Sequence, residues 1–357
     1  MRVLQVIAGA EHGGAELFFG ELILAIKNYQ KAPISIVQKA VMRPYLSRLE
    51  LLEKGGVDVT ALQFGGWLDW RSRFVMREEI KNFRPHIVQT WMNRATKFTP
   101  LPTMRQPFVH IGWLGGYHDM KYYQTCDHVV ALTNDMKRHA LDAGWSSDRV
   151  HVIPPFAMLK PTAPITRAQF DTPEDAKVIL STARLHIRKA QDILLQAMVD
   201  VPDAYLWIAG EGDLRKPLTQ LAEDLKLADR VRFLGWRTDH QALLREADLF
   251  VLPSRYEPFG IVILEAWSQG CPVVAAASQG PKSIVTHDQD GLLVSIDNVG
   301  ELADAMRNIL TDDVLRKRLA QNAQRTYHST YSQESVVRRY FDLYEQVAMM
   351  GSYAKAA

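Results

Sequence analysis

The sequence predicts an α/β protein of two Rossmann-like domains, each a parallel sheet flanked by helices. Three observations carry this. Short apolar strand-like runs alternate with amphipathic stretches of helix length through most of the chain, the pattern of βαβ units. The alternation breaks between Pro154 and Pro173, where five prolines mark a linker. A chain of 357 residues is also too long for one compact doubly wound unit and comfortable for two. The expected domains span residues 1–160 and 174–335, with a C-terminal helix over 336–357 packing back on the first domain.

In the first half, strands are expected at Val3–Ala8, Ile34–Val37, Val57–Leu62, His86–Thr90, Phe108–Ile111 and Val129–Leu132. Helices fall at Ala15–Tyr29, Pro44–Lys54, Arg73–Phe83 and Asp135–Ala143. The second half places strands at Val178–Ser181, Tyr205–Ala209, Val231–Leu234, Leu249–Leu252 and Val273–Ala276. Its helices are expected at Ala190–Val199, Lys216–Leu225, His240–Glu246 and Gly260–Gln269, and the chain closes with Gly300–Leu310, Val314–Tyr327 and Ser335–Met349. In such sheets a ligand sits beyond the strand C-termini, so a cleft where the two halves face each other is the expected site.

Composition narrows the function classes. No apolar run approaches the roughly 18 residues of a membrane helix, and the N-terminus lacks the long apolar segment of a signal peptide, so a cytoplasmic location is expected. Cys126 and Cys271 each flank an apolar run and read as reduced, buried thiols, with no second ligand at metal spacing. Residues 1–165 carry 20 Lys+Arg against 14 Asp+Glu, a net +6; the remainder carries 22 against 26, a net −4. The basic first half suits an anionic acceptor or a membrane surface. No basic run interleaved with aromatics points to nucleic acid. The stretch Trp67 to Arg77 mixes aromatics with arginines; it reads as an ordinary helix with solvated arginines or as a peripheral contact with the cytoplasmic membrane face.

The richest segment runs from Ser254 to Ala266. An apolar strand ends at Leu252-Pro253 and a helix begins near Phe259-Gly260, so free amides and the positive end of the helix dipole make an anion- and hydroxyl-binding point. Gly260 lets a ligand approach the backbone. Glu257 stands just before the helix. Glu265 lies within it among Ile261, Leu264 and Ala266; it is either a solvated helix glutamate or a carboxylate whose burial requires hydrogen-bond donors such as a ribose diol. About 12 Å of mostly helical path separates Glu257 from Glu265, longer than the roughly 5 to 9.5 Å of a hydrolase acid–base pair. Arg184 and Lys189 follow the first strand of the second half, where two cations can neutralise a diphosphate or simply cap a surface helix.

Glu257 to Glu265, with Pro-Phe-Gly after the first glutamate, resembles the signature of retaining glycosyltransferase family 4, of bacterial cell-surface and lipopolysaccharide type. The likeness covers nearly the whole chain, through Gly13-Gly14-Ala15-Glu16, Ala183-Arg184-Leu185, Gly210-Glu211-Gly212, Ala247-Asp248-Leu249, Gly270-Cys271-Pro272 and Asp290-Gly291-Leu292. It implies the GT-B fold and a UDP- or GDP-sugar donor with no metal or other cofactor. It further implies an acceptor-binding first domain and a nucleotide-sugar-binding second domain. It places Arg184 and Lys189 on the donor β-phosphate, and Glu257, Phe259, Gly260, Ile261 and Glu265 on the donor sugar and ribose. His118, in Gly115-Gly116-Tyr117-His118-Asp119, resembles the first-domain histidine that approaches the transferred sugar. Gly13 and Gly14 match a loop over the donor phosphate or the acceptor pocket. The residues assigned to catalysis are His118, Arg184, Lys189 and Glu257.

Two positions depart from the family pattern: Ser283 stands where a glutamate is common, and Ile153-Pro154-Pro155-Phe156 replaces Pro-Asn-Gly. Asp288-Gln289-Asp290 has the form of a metal motif, but its place in a polar turn late in the chain reads as a turn. The rivals are a nucleotide-sugar epimerase on the same scaffold and a non-catalytic sugar-nucleotide-binding homologue. A dehydrogenase would need Gly-x-Gly-x-x-Gly after the first strand, where this chain has Gly9-Ala10-Glu11-His12-Gly13-Gly14.

Overall fold

The structure, a computed structural model, describes residues 1–11, 13–29, 33–65, 69–159 and 161–353. Trp67 and Leu68, part of the aromatic–arginine stretch, and His12 lie outside the described residues. The chain divides into two compact units, one of Met1–Pro155 with Gln333–Ala357 and one of Phe156–Ser332.

Unit 1 is built in the order β1 (Arg2–Ile7), α1 (Gly14–Lys27), β2 (Val37–Met42), α2 (Leu46–Lys54), β3 (Asp58–Ala61), α3 (Trp70–Phe83), β4 (Ile87–Trp91), α4 (Met92–Phe98), β5 (Val109–Trp113), β6 (His128–Ala131), α5 (Asn134–Asp142) and β7 (Val150–Val152). The strands form a seven-stranded parallel sheet ordered β3-β2-β1-β4-β5-β6-β7. β1, β4 and β6 are buried along nearly their whole length, as strands covered on both faces are, with mainly apolar residues and a few buried polar ones.

Within unit 1 a buried polar chain ties the C-terminal segment to the sheet. The Tyr344 hydroxyl donates to Gln89 Oε1 at 2.7 Å and accepts from Gln5 Nε2 at 3.1 Å. Trp91 Nε1 donates to Gln5 Oε1 at 3.0 Å, and the Tyr29 and Phe341 rings lie 5.5 Å apart. These bonds replace most of the water the groups lost on burial, though the Gln89 amide nitrogen stays without a partner.

Unit 2 follows as β8 (Lys177–Thr182), α6 (Gln191–Ala197), β9 (Ala204–Ala209), α7 (Arg215–Asp224), β10 (Val231–Gly235), α8 (His240–Glu246), β11 (Leu249–Leu252), α9 (Ile261–Ser268), β12 (Val273–Ala276), α10 (Gln279–Ile284), β13 (Leu292–Val294), α11 (Val299–Thr311) and α12 (Asp313–Thr326). Its six-stranded parallel sheet is ordered β10-β9-β8-β11-β12-β13. Ile179, Leu206, Ile208, Leu249 and Val251 pack with Leu194, Leu218, Met306 and Ile309 of the flanking helices into one core. The final helix, α13 (Gln333–Tyr353), belongs to unit 1.

The break between units falls at Pro155, ahead of the expected residue 160. The proline-rich stretch is packed rather than loose: Phe156 and Ala157 are buried, Gln241 donates to the Met158 carbonyl, and Arg245 donates to the Thr162 carbonyl, so α8 holds it to unit 2. β2 lies at Val37–Met42 instead of Ile34–Val37. Its polar residues are partnered by other elements: Lys39 pairs with Asp58 and Glu79 at 2.9 Å each, and Gln38 donates to the Ile23 carbonyl. Among the described residues no helix is long and apolar enough to cross a membrane.

Candidate functional site

In unit 2 the strand order reverses between β8 and β11, which makes the crevice beyond their C-termini the switch point where open parallel sheets bind ligands. The loop after β8 carries Arg184 to Lys189; the loop after β11 carries Ser254 to Gly260. Both sequence-expected motifs therefore arrive at the same edge.

The first loop is clamped from below. Leu185 N–H donates to the Glu211 carbonyl at 3.0 Å, and a Cβ added to Gly210 would stand 1.9 Å from the Ala183 carbonyl oxygen. Only glycine permits that approach. His186 Nδ1 accepts from the Arg188 amide at 3.2 Å and opens the short 3-10 turn Ile187–Lys189. Ala190 then adopts a left-handed backbone, φ 53°, an uncommon state for alanine that turns the chain into α6.

The second loop is stitched to the first. Arg255 Nη1 donates to the Ile187 carbonyl at 2.7 Å, and the Tyr256 amide to the Arg188 carbonyl at 3.3 Å. Arg255 is itself fixed by a bidentate pair with Asp192 at 2.9 and 2.7 Å and by Asp297 at 2.6 Å. Lys189 Nζ closes the junction on Glu257 Oε2 at 2.6 Å, with the side chains 25% and 14% exposed. Arg184 lies exposed on the same loop.

The backbone then turns through Gly260, φ +95°, into α9, whose opening amides have no intrahelical acceptor. Phe259 is buried here, and Gly280 packs so closely that an added Cβ would lie 2.3 Å from the Phe259 carbonyl oxygen, while its amide donates to the Glu257 carbonyl at 2.8 Å. Ile261 is half-buried at the first turn.

Glu265 is not a solvated helix glutamate: it is 7% exposed. Its neighbour is His240 at the start of α8, with Nδ1 3.5 Å from Oε2. At that distance the carboxylate attracts the imidazole without a good hydrogen bond, and Oε2 is left buried with no partner. The Glu265 carboxylate beside it raises the His240 pKa above its usual 6.5 against the opposing effect of burial. The hydroxyls of Ser181, Ser254 and Ser278, on β8 and after β11 and β12, are likewise buried and unpartnered. Such groups are costly unless a ligand supplies the missing partners.

In unit 1, Gly13 and Gly14 follow β1, whose neighbours β2 and β4 lie either side of that sheet's own switch point. Gly13 has an extended backbone, φ 167°, so a positive-φ turn is not what requires it. Close approach is. A Cβ there would lie 2.1 Å from Glu16 Oε2, and one at Gly9 2.4 Å from Glu16 Oε1. Glu16 is buried, accepting the Ala10 amide at 3.0 Å, while Arg48 Nη2 donates to the carbonyls of Ala10 and Glu11 at 3.1 and 3.0 Å. Gly14 begins α1 exposed, with open space around it.

His118, after β5, is half-buried; its carbonyl accepts from His139 Nε2 at 2.9 Å. Burial, helped by His139, lowers its pKa, so the imidazole is neutral at pH 7. Asp119 caps the following turn through the Lys121 amide at 3.0 Å and pairs with the Lys121 ammonium at 2.6 Å. Asp290 accepts from the Thr286 amide and the Thr326 hydroxyl, and Asp288 pairs with Arg318; this segment fastens a turn to α12. Arg255, His240, Glu16 and Arg48 escaped sequence reasoning. The two arginines act through partners remote in sequence, Glu16 folds back on Gly9 and Gly13 without a motif of its own, and a histidine opening a helix carries no local signal.

Comparison with known proteins adds to this geometry. The profile of the family described as "Glycosyl transferases group 1" matches residues 163–326. The chain is 35% identical over 355 residues to the lipopolysaccharide core biosynthesis glycosyltransferase LpsD of Rhizobium meliloti (strain 1021), covering 97% of this chain and 98% of that protein. It is 33% identical over 337 residues to LpsE of the same organism, covering 93% and 95%. Among solved structures, Anabaena HepE in complex with UDP-glucose superimposes with a TM-score of 0.80 at 21% identity, covering 97% of this chain and 100% of that one. The two parallel sheets are those of the GT-B fold.

Proposed function

Because the chain belongs to the glycosyltransferase group 1 family and is a glycosyltransferase, we propose that it moves a hexosyl unit from a UDP- or GDP-sugar onto a lipopolysaccharide core, with retention of anomeric configuration. One observation carries the site assignment: Lys189 and Glu257, 68 residues apart in sequence, meet at 2.6 Å at the unit 2 switch point. The names of LpsD and LpsE support the lipopolysaccharide core as acceptor, and the HepE complex supports a uridine donor.

Arg184, Lys189 and the amides at Phe259-Gly260-Ile261 take up the charge of the departing diphosphate. Glu257 receives sugar hydroxyls and steers Lys189. Glu265, with an oxygen still to be satisfied, accepts from the ribose diol. No protein nucleophile is assigned: the acceptor hydroxyl attacks on the face that the diphosphate leaves, and its proton departs with that group. The acceptor is assigned to unit 1, where His118, Gly13 and Gly14 contact substrate with the imidazole neutral. Charge neutralisation by fixed cations predicts transfer that persists in EDTA. Trp70 and Phe74 stand exposed on α3 beside exposed Arg71, Arg73 and Arg77, which supports peripheral contact with an anionic membrane face.

The test is a screen of UDP- and GDP-sugars by thermal shift, then transfer to purified lipopolysaccharide core followed by mass spectrometry. A cognate donor raises the melting temperature and adds one hexose to the acceptor. An isomerised nucleotide sugar formed without acceptor would establish the epimerase instead, and donor binding with no transfer to any core acceptor would leave a binding homologue.

A further inference from the structure

A second feature of unit 1 lies at the opposite edge of its sheet from Gly13 and His118. Arg2 opens β1, Pro85-His86 precede β4, and Gln106-Pro107-Phe108 precede β5, three strands adjacent in the sheet. Their N-terminal ends, with the end of α3, enclose a cavity of about 530 Å³. The strands are five or six residues long, so about 16 to 20 Å of sheet separates this cavity from the loops carrying Gly13 and His118.

Its lining is one-signed. Arg2, Lys81, Arg84 and Arg105 contribute to the wall, and among the described residues no aspartate or glutamate does. Lys81 pairs with Glu78 at 3.3 Å, but the two side chains are 59% and 40% exposed, and such a pair is weak. The carbonyl end of α3 is a contrary partial charge, and two of the carbonyls there, those of Ile80 and Arg84, are occupied in place. The Arg84 amide caps the Ile80 carbonyl at 2.9 Å from a left-handed backbone, φ 49°, and Arg2 Nε donates to the Arg84 carbonyl at 2.7 Å. That bond and the Arg2 amide's donation to His86 Nδ1 at 3.0 Å fix Arg2 at the rim. Like charges gathered around a cavity with no carboxylate in its wall raise the local potential and favour an anion. Arginine forks match phosphate oxygens better than any other side chain.

We propose that this cavity is a phosphate-binding site, separate from the transfer site, that takes a phosphate group presented either on a phospholipid headgroup or in solution. The site does not depend on the donor reading. Leu101 and Met104, shortly before Arg105 in the chain, are exposed apolar side chains of the kind that a lipid surface would cover.

The test uses the full chain and the double variant Lys81→Glu/Arg105→Glu, which leaves Arg2 and Arg84 with their structural bonds. Binding of inorganic phosphate is followed by calorimetry. Binding of vesicles is followed by flotation, comparing phosphatidylglycerol-containing vesicles with pure phosphatidylcholine. The wild type binds phosphate, anionic vesicles or both, and the double variant binds at least about tenfold more weakly. Its melting temperature without anion and its transfer to a soluble acceptor stay unchanged. Phosphate binding alone identifies a soluble ligand; a preference for anionic vesicles alone identifies the headgroup. Arg105→Gln, which removes charge without reversing it, shows an intermediate loss. Equal binding by wild type and double variant, or none by wild type, overturns the proposal.

Discussion

Replacing Lys189 with alanine removes the ammonium that meets Glu257 Oε2 at 2.6 Å and, on the reading above, the cation nearest the departing diphosphate. Two magnitudes separate structural from catalytic consequences. At an effective dielectric of about 20 the gross attraction between the charges is about 6 kcal/mol. Both groups are partly exposed, so desolvation and side-chain ordering offset most of it, and the net contribution to folding is about 1 kcal/mol or less. The loop also keeps its independent stitches, the Arg255 bonds to Ile187, Asp192 and Asp297. The variant should therefore fold, with a melting temperature only a few degrees lower. Loss of one preorganised charge facing the transition state costs about 3 to 4 kcal/mol, a fall of roughly 10²- to 10³-fold in kcat/KM.

The assay is initial-rate hexose transfer with wild type, Lys189→Ala, Glu257→Gln and the double variant. If Lys189 serves only to neutralise Glu257, the lysine substitution does no further harm once the glutamate is gone. If it stabilises the leaving diphosphate, the double variant is slower than Glu257→Gln alone. Undiminished turnover in Lys189→Ala would refute the reasoning outright.

The other predictions are narrower. Glu265→Gln removes a buried carboxylate with one unpartnered oxygen; the donor KM should rise about tenfold or more with kcat little changed, as expected for a ribose contact made equally in ground and transition states. Gly280→Ala drives a methyl into the Phe259 backbone, 2.3 Å from its carbonyl oxygen, and should cost about 1 to 3 kcal/mol in chemical denaturation and lower transfer as the Glu257–Gly260 loop shifts. Buried His110 has its pKa lowered by desolvation from 6.5 to about 4. The unfolded chain binds this proton first, so stability falls as pH drops below 6.5 towards 4, by up to about 3 kcal/mol, and His110→Gln should flatten that dependence in urea titrations. His240 behaves oppositely. The neighbouring Glu265 carboxylate raises its folded pKa, so its contribution is fully present below pH 6.5 and is lost as pH rises through the folded value; in the same titrations His240→Gln should narrow its deficit to wild type at alkaline pH.

Local pattern was enough for elements bounded by turn residues and filled with apolar ones: β11, β12 and α8 occupy the spans expected for them, and the βαβ rhythm alone implied parallel sheets. It failed where an element was short or polar. The strands β7 and β13, three residues each, are too brief to display a period. β2 was displaced because Gln38 and Lys39 look like loop residues until Ile23, Asp58 and Glu79 are brought alongside to partner them.

At the site, the sequence by itself determined the chemistry available, two cations after one strand and two carboxylates around a helix start after another. Tertiary structure alone decided that β8 and β11 are neighbours, so that Lys189 reaches Glu257 and Arg255 laces the two loops together. It also decided that Glu265 is buried against His240 and that Gly13 is small to admit a carboxylate rather than to turn the chain. The reason is physical: propensity and periodicity act over a few residues, whereas a desolvated charge is set by whatever the sheet order places within a few ångströms, and that order is fixed by burial of the whole core.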